Sequence, residues 1–178
     1  MAMETAKEFS KPIILDPVGA GATPYRTDTV HQLIRTAVPT IIRGNASEIL
    51  ALYSSEHGAR GVDSQHTTDS AEEAATHLSK QLRCVISVSG ATDRVVDGDR
   101  TALVRNGHPL MGRITGMGCT ASALTAAFAA INPLAFDAAL HAAVVMGVAG
   151  EIAAETASGP ASLQVAFLDA LYQLDESA

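Results

Sequence analysis

A Gly-x-Gly turn ending in cysteine, Gly116-Met117-Gly118-Cys119, is the segment of this sequence best suited to chemistry. It leads into an Ala-rich run, residues 119–131, that reads as a helix stopped by Asn132-Pro133. Successive backbone N–H groups at a helix N-terminus form an anion-binding concavity, and glycine lets a phosphoryl group come close to them. Cys119 would sit in the first turn, where the helix dipole favours a thiolate and suits the sulfur to accepting a proton. A glycine turn before a small buried cysteine has the same spacing and no chemistry. Spacing alone leaves both readings open.

A second segment, Arg43-Gly44-Asn45-Ala46-Ser47-Glu48, follows an apolar run at residues 40–42. An arginine at a strand end can pair with nucleotide phosphates, and a carboxylate nearby can hold Mg²⁺ through its water shell. Asn45 and Glu48 also have the spacing of a capping box, which needs no ligand. Asp16 before Pro17 could be a metal- or phosphate-site carboxylate, and is equally ordinary turn chemistry. His108 is the one histidine placed near a candidate loop, ahead of the Gly-x-Gly turn.

These residues need a scaffold that gathers them. Short apolar runs at residues 12–15, 40–42 and 84–88 read as buried strands, and residues 94–97 and 101–105 as a hairpin about Asp97-Gly98-Asp99-Arg100. Helical spacing marks residues 26–37, and capping patterns at Asn45 and Asp69 open helices reaching about Tyr53 and Leu82. Residues 1–10 have helical composition. Residues 18–25, 54–68 and 106–118 read as loops, and 134–156 and 161–174 as two further helices. Continuous apolar strands alternating with helices predict a mainly parallel sheet covered on both faces, in one domain spanning residues 1–178. Ligands in such sheets sit beyond the carboxyl ends of the strands. That places Asp16, Arg43, Glu48, Ser89 and Gly116–Cys119 at one edge.

Composition narrows the classes further. The chain has 178 residues, a net charge of −7, 47% hydrophobic and 17% charged residues. All 12 basic residues lie at or before Arg113, which leaves no basic face for nucleic acid. Two cysteines make no disulfide scaffold or zinc site, and the apolar runs fall short of bilayer length. A soluble, intracellular globular domain is the expectation. Gly19-Ala20-Gly21-Ala22-Thr23-Pro24 imitates a dinucleotide fingerprint but ends in Pro24 where that motif needs Gly or Ala. No P-loop motif occurs.

Four segments in this order resemble the hydroxyethylthiazole kinases of the thiamine pathway. They are Ile14-Leu15-Asp16-Pro17-Val18-Gly19-Ala20-Gly21, Ile42 through Glu48, Val88-Ser89-Gly90 with Asp93, and His108-Pro109-Leu110-Met111 followed by Thr115 through Cys119. In the wider ribokinase-like group the place of Cys119 is usually taken by Asp. The resemblance implies a ribokinase-like three-layer α/β/α fold and ATP-dependent phosphorylation of the hydroxyl of 4-methyl-5-(2-hydroxyethyl)thiazole. It implies a cytoplasmic homotrimer with sites between subunits, and no membrane or nucleic-acid partner. By position it implies Cys119 as catalytic base and Arg43 and Ser89 at ATP. Gly116 would lie against the thiazole, the amides of Gly116, Met117, Gly118 and Cys119 would receive the developing charge, and Asp16 and Glu48 would organise Mg²⁺. In the family a substantial N-terminal section precedes the first of these strands, whereas residues 1–13 precede it here. The fold is therefore expected to be N-terminally truncated, with part of the thiazole pocket absent. Two other readings stand beside this one: a non-catalytic nucleotide-binding remnant or subunit, and a kinase for another small alcohol such as hydroxymethylpyrimidine.

Overall fold

The structure is a computed structural model and describes residues 2–57 and 67–174. Helix α1 (Ala2–Glu8) leads to strand β1 (Ile14–Leu15), followed by α2 (Pro24–Thr36), β2 (Ile41–Asn45) and α3 (Ala46–His57). Next come α4 (Thr67–Leu82), β3 (Val85–Ser89) and a hairpin of β4 (Asp93–Asp97) and β5 (Arg100–Val104). A 3-10 turn (Pro109–Arg113) precedes helices α5 (Met117–Ile131), α6 (Ala135–Ala154) and α7 (Pro160–Gln173).

The strands form one sheet in the order β1-β2-β3-β4-β5. β1, β2 and β3 are parallel, β4 runs antiparallel to β3, and β5, antiparallel to β4, returns to the direction of the first three. The sheet is mainly parallel, as expected, and is mixed only by the reversed strand β4 of the expected hairpin. Two-residue periodicity sends alternate side chains to opposite faces. Ile42, Ile86, Val88 and Val96 pack with Ile34, Ile49, Leu52 and Leu78 from α2, α3 and α4. Ile41, Val85 and Val95 pack with Ala129, Phe136 and Ala139 from α5 and α6. Helices therefore cover both faces, and α7 closes the outside of α6 through Leu163, Phe167 and Ala170.

Several boundaries move for local reasons. α2 begins at Pro24 rather than Arg26, because Thr23 Oγ1 accepts the Arg26 N–H at 3.3 Å and proline suits the first helical position. The run at residues 12–15 pairs in register only at Ile14 and Leu15. The predicted loop at 54–68 is helical at both ends, in α3 and α4, and its residues 58–66 lie outside the described ones. α4 is already helical at Thr67, so the Asp69 capping pattern falls inside its first turn. Within the 106–118 loop, residues 109–113 form the 3-10 turn.

α6 corrects the run-length argument against a bilayer segment. It has 20 residues and is long and apolar enough to cross a membrane by length and composition. Its apolarity serves the core instead: Phe136, Ala138 and Ala139 are buried towards the sheet, and Ala149 and Ala153 towards α7. Phe167 is the largest side chain in that outer seam and is 1% exposed. Replacing it with alanine leaves a cavity between α6 and α7, and urea denaturation should record a loss of about 3–5 kcal/mol.

Candidate active site

The parallel register decides which residues meet. Arg43 pairs with Ser87 and Asn45 with Ser89, so β2 and β3 end level with each other and beside β1. Alternation places Arg43 on the Ile41 face, towards α5. There its Nη1 donates to the Gly118 carbonyl oxygen at 3.3 Å. The strand ends, the 106–112 loop and the start of α5 enclose a cleft of about 800 Å³. Asp16, Arg43, Glu48, Ser89, Gly116, Met117, Gly118 and Cys119 all line it. The structure therefore brings together every residue the sequence nominated.

Gly116 is the N-cap of α5 with φ +90°, a left-handed conformation that a side chain would strain. The first helical bond runs from Thr120 N–H to the Gly116 carbonyl at 3.0 Å. The amides of Met117, Gly118 and Cys119 precede it, and no side chain caps them. A side chain at 118 would also crowd Arg43, since a Cβ there lies 3.2 Å from Nη1. Cys119 is exposed, in the third position of the helix. The other cysteine is a contrast: Cys84 is buried, and burial, with Asp97 adding repulsion, pushes its thiol up to about 12.

Glu48 is first of all a structural tie. Its Oε2 accepts the Asn45 N–H and Asn45 Oδ1 accepts the Glu48 N–H, both at 2.9 Å, completing the capping box. Its Oε1 accepts the Gly19 N–H at 2.9 Å, fastening the loop after β1 to the start of α3. The Gly21 N–H goes to Thr27 Oγ1 at 2.9 Å. Both glycine amides of the fingerprint-like loop are thus bonded within the protein, an independent reason that it is not a dinucleotide site. Ser89 Oγ donates to the Gly44 carbonyl at 3.4 Å. His108 caps the 3-10 turn, its Nδ1 accepting the Leu110 N–H at 3.3 Å, which leaves the proton of the neutral ring on Nε2.

Two contributors carried no assigned role in the sequence. Ser122 Oγ donates to Asp16 Oδ2 at 2.6 Å and orients that carboxylate from α5. Its signal was its place three residues after Cys119, on the same helix face. Asp93 Oδ1 accepts the Gly90 N–H at 2.8 Å and shapes the loop after β3. Burial raises its carboxyl above the ordinary 3.8, with the Gly90 bond and the Arg43 charge opposing. Among the described residues, no three His, Cys, Asp or Glu gather as a metal-binding group. Asp16 and Glu48 are carboxylates lining the cleft, the donor chemistry through which a hydrated divalent cation would be held beside a phosphate.

Sheet order, flanking helices and this cleft define a ribokinase-like α/β fold, which a Bacillus subtilis pyridoxal kinase structure shares at TM-score 0.60 and 24% identity over 83% of this chain and 57% of its own. The model of the hydroxyethylthiazole kinase family matches residues 1–177, and the chain belongs to that family. Hydroxyethylthiazole kinase of Syntrophus aciditrophicus is 58% identical over 93% of this chain and 62% of its own length. That of Granulibacter bethesdensis is 50% identical over 99% of this chain and 64% of its own. The solved hydroxyethylthiazole kinase of Pyrococcus horikoshii superimposes with a TM-score of 0.88 at 39% identity, covering 99% of this chain and 65% of that one. The chain thus spans less than two thirds of each of these relatives.

Two substitutions test the ties described above. Glu48→Ala removes the capping box and the Gly19 bond together, and urea denaturation should show a loss of about 1–3 kcal/mol. For Asp93, a raised carboxyl pKa means that the stability linked to its proton is full below 3.8 and lost as pH climbs through the raised value. Asp93→Asn keeps the Oδ1 acceptor and cannot ionise. Its unfolding free energy should therefore gain on the parent's as pH rises from about 3 to about 7.

Proposed function

We propose that this chain phosphorylates the primary hydroxyl of 4-methyl-5-(2-hydroxyethyl)thiazole from ATP, giving the thiazole phosphate for thiamine synthesis. The observation that carries the reading is the uncapped start of α5, whose first amides open onto the cleft beside Arg43. Phosphoryl transfer asks for positioning and charge stabilisation more than for covalent help, and these groups supply both.

Arg43, already directed at the turn by Gly118, binds the ATP phosphates, and Ser89 lies beside the nucleotide at the end of β3. The amides of Gly116 through Cys119 receive charge developing on the transferred group, and Gly116 lies against the thiazole. Cys119 takes the proton of the substrate hydroxyl, or holds that hydroxyl in line. A Mg²⁺ ion, when bound with the nucleotide, neutralises phosphate oxygens, and Asp16 and Glu48 would hold it through water. The same reading carries a cytoplasmic homo-oligomer, a trimer by family resemblance, which light scattering in solution checks directly.

A coupled ADP-release assay with and without the thiazole alcohol tests the proposal. Thiazole-dependent release is the expected result. ATP binding without it would favour a non-catalytic nucleotide-binding chain, and release driven instead by hydroxymethylpyrimidine would reassign the acceptor. Cys119→Ala should lower turnover by about 10²-fold or more, the usual scale of a general base. Unchanged turnover would remove Cys119 from the mechanism.

A further inference from the structure

One wall of the cleft is a loop that the strands do not hold. Residues 106–112 leave β5 and reach α5 through the 3-10 turn, and Asn106, Gly107, His108 and Met111 line the cleft. Their anchor is α6. Glu151 Oε1 accepts the Gly107 N–H at 2.9 Å, and its Oε2 accepts from Asn106 Nδ2 at 3.5 Å. On α6, Gly147 lies three residues before Gly150 and four before Glu151, the spacings of helical neighbours. The two glycines let the loop approach the helix backbone. A Cβ on Gly147 would lie 2.9 Å from the Asn106 carbonyl carbon, and one on Gly150 would overlap Met111 Sδ. That sulfur in turn accepts the His108 N–H at 3.4 Å, which closes the loop on itself.

We propose that Glu151 is a positioning residue: it clamps the 106–111 loop onto α6 and so sets the width of the nucleotide cleft. Glu151 touches no reacting atom. It acts through the backbone of Gly107, and the consequence for ATP rests on the kinase reading above.

The test compares Glu151→Ala and Glu151→Gln with the parent chain. Gln keeps an acceptor for the Gly107 N–H, whereas Ala removes it. Amide exchange at Gly107 reads the bond itself, and calorimetric titration with Mg-ATP reads the cleft. Glu151→Ala should speed Gly107 exchange and weaken ATP binding by about tenfold, the scale of one lost charge-assisted bond. Glu151→Gln should restore most of both, and each variant should still unfold in one cooperative transition. Unchanged Gly107 exchange in Glu151→Ala overturns the clamp. So do unchanged ATP affinity despite faster exchange, and a Gln variant as impaired as Ala. A parent chain that binds no ATP sinks the kinase reading instead, a failure visible before any variant is made.

Discussion

The parallel register of β1, β2 and β3 is the constraint on which the site depends. Parallel pairing sets Ile14 beside Ile41 and Ile41 beside Val85, so the chain leaves all three strands at one edge. Asp16, Arg43 and Ser89 are far apart in sequence and become neighbours only through that register. A slip of one residue in β2 would turn Arg43 away from α5 and put Ile42 in its place, because side-chain direction alternates along a strand. The buried isoleucines on both faces make such a slip expensive, so core packing and site geometry enforce the same register.

The edge is then stiffened by short polar ties rather than left as free loops. Glu48 joins the loop after β1 to the start of α3, Asp93 shapes the loop after β3, and Ser122 orients Asp16 from across the cleft. Arg43 reaches the carbonyl of Gly118 and links the sheet to the turn before α5. Each tie uses one side chain to satisfy backbone groups or a charge at a helix or strand end, where the regular ladders stop. The first amides of α5 have no such side-chain cap, and they open onto the cleft. A helix start left without a cap at the mouth of a cavity is suited to a ligand's charge.

Much of this was legible before the fold. The Gly-x-Gly-Cys turn, the capping box at Asn45 and Glu48, the hairpin about Gly98-Asp99 and all three parallel strands can be read from spacing, because each rests on local geometry. Less visible were contacts across the fold. Ser122 is an unremarkable serine in an Ala-rich helix until Asp16 lies 2.6 Å away, and Glu151 is one acid among several until the 106–111 loop packs beside it. The antiparallel attachment of the hairpin also lies outside local spacing, since a run of apolar residues does not state its direction.

The sequence by itself determined the chemistry available: one cysteine at a glycine turn, one arginine at a strand end, and carboxylates close after two strands. It did so because residue type and short-range spacing decide caps, turns and strand ends. Strand order also let their gathering at one sheet edge be expected, but only the tertiary structure decided the walls of the cleft and which oxygen each amide uses. It also turned α6, apolar enough for a bilayer, into the core helix that supports the cleft wall. Those outcomes depend on register and packing between segments scores of residues apart, and no local pattern encodes such a distance.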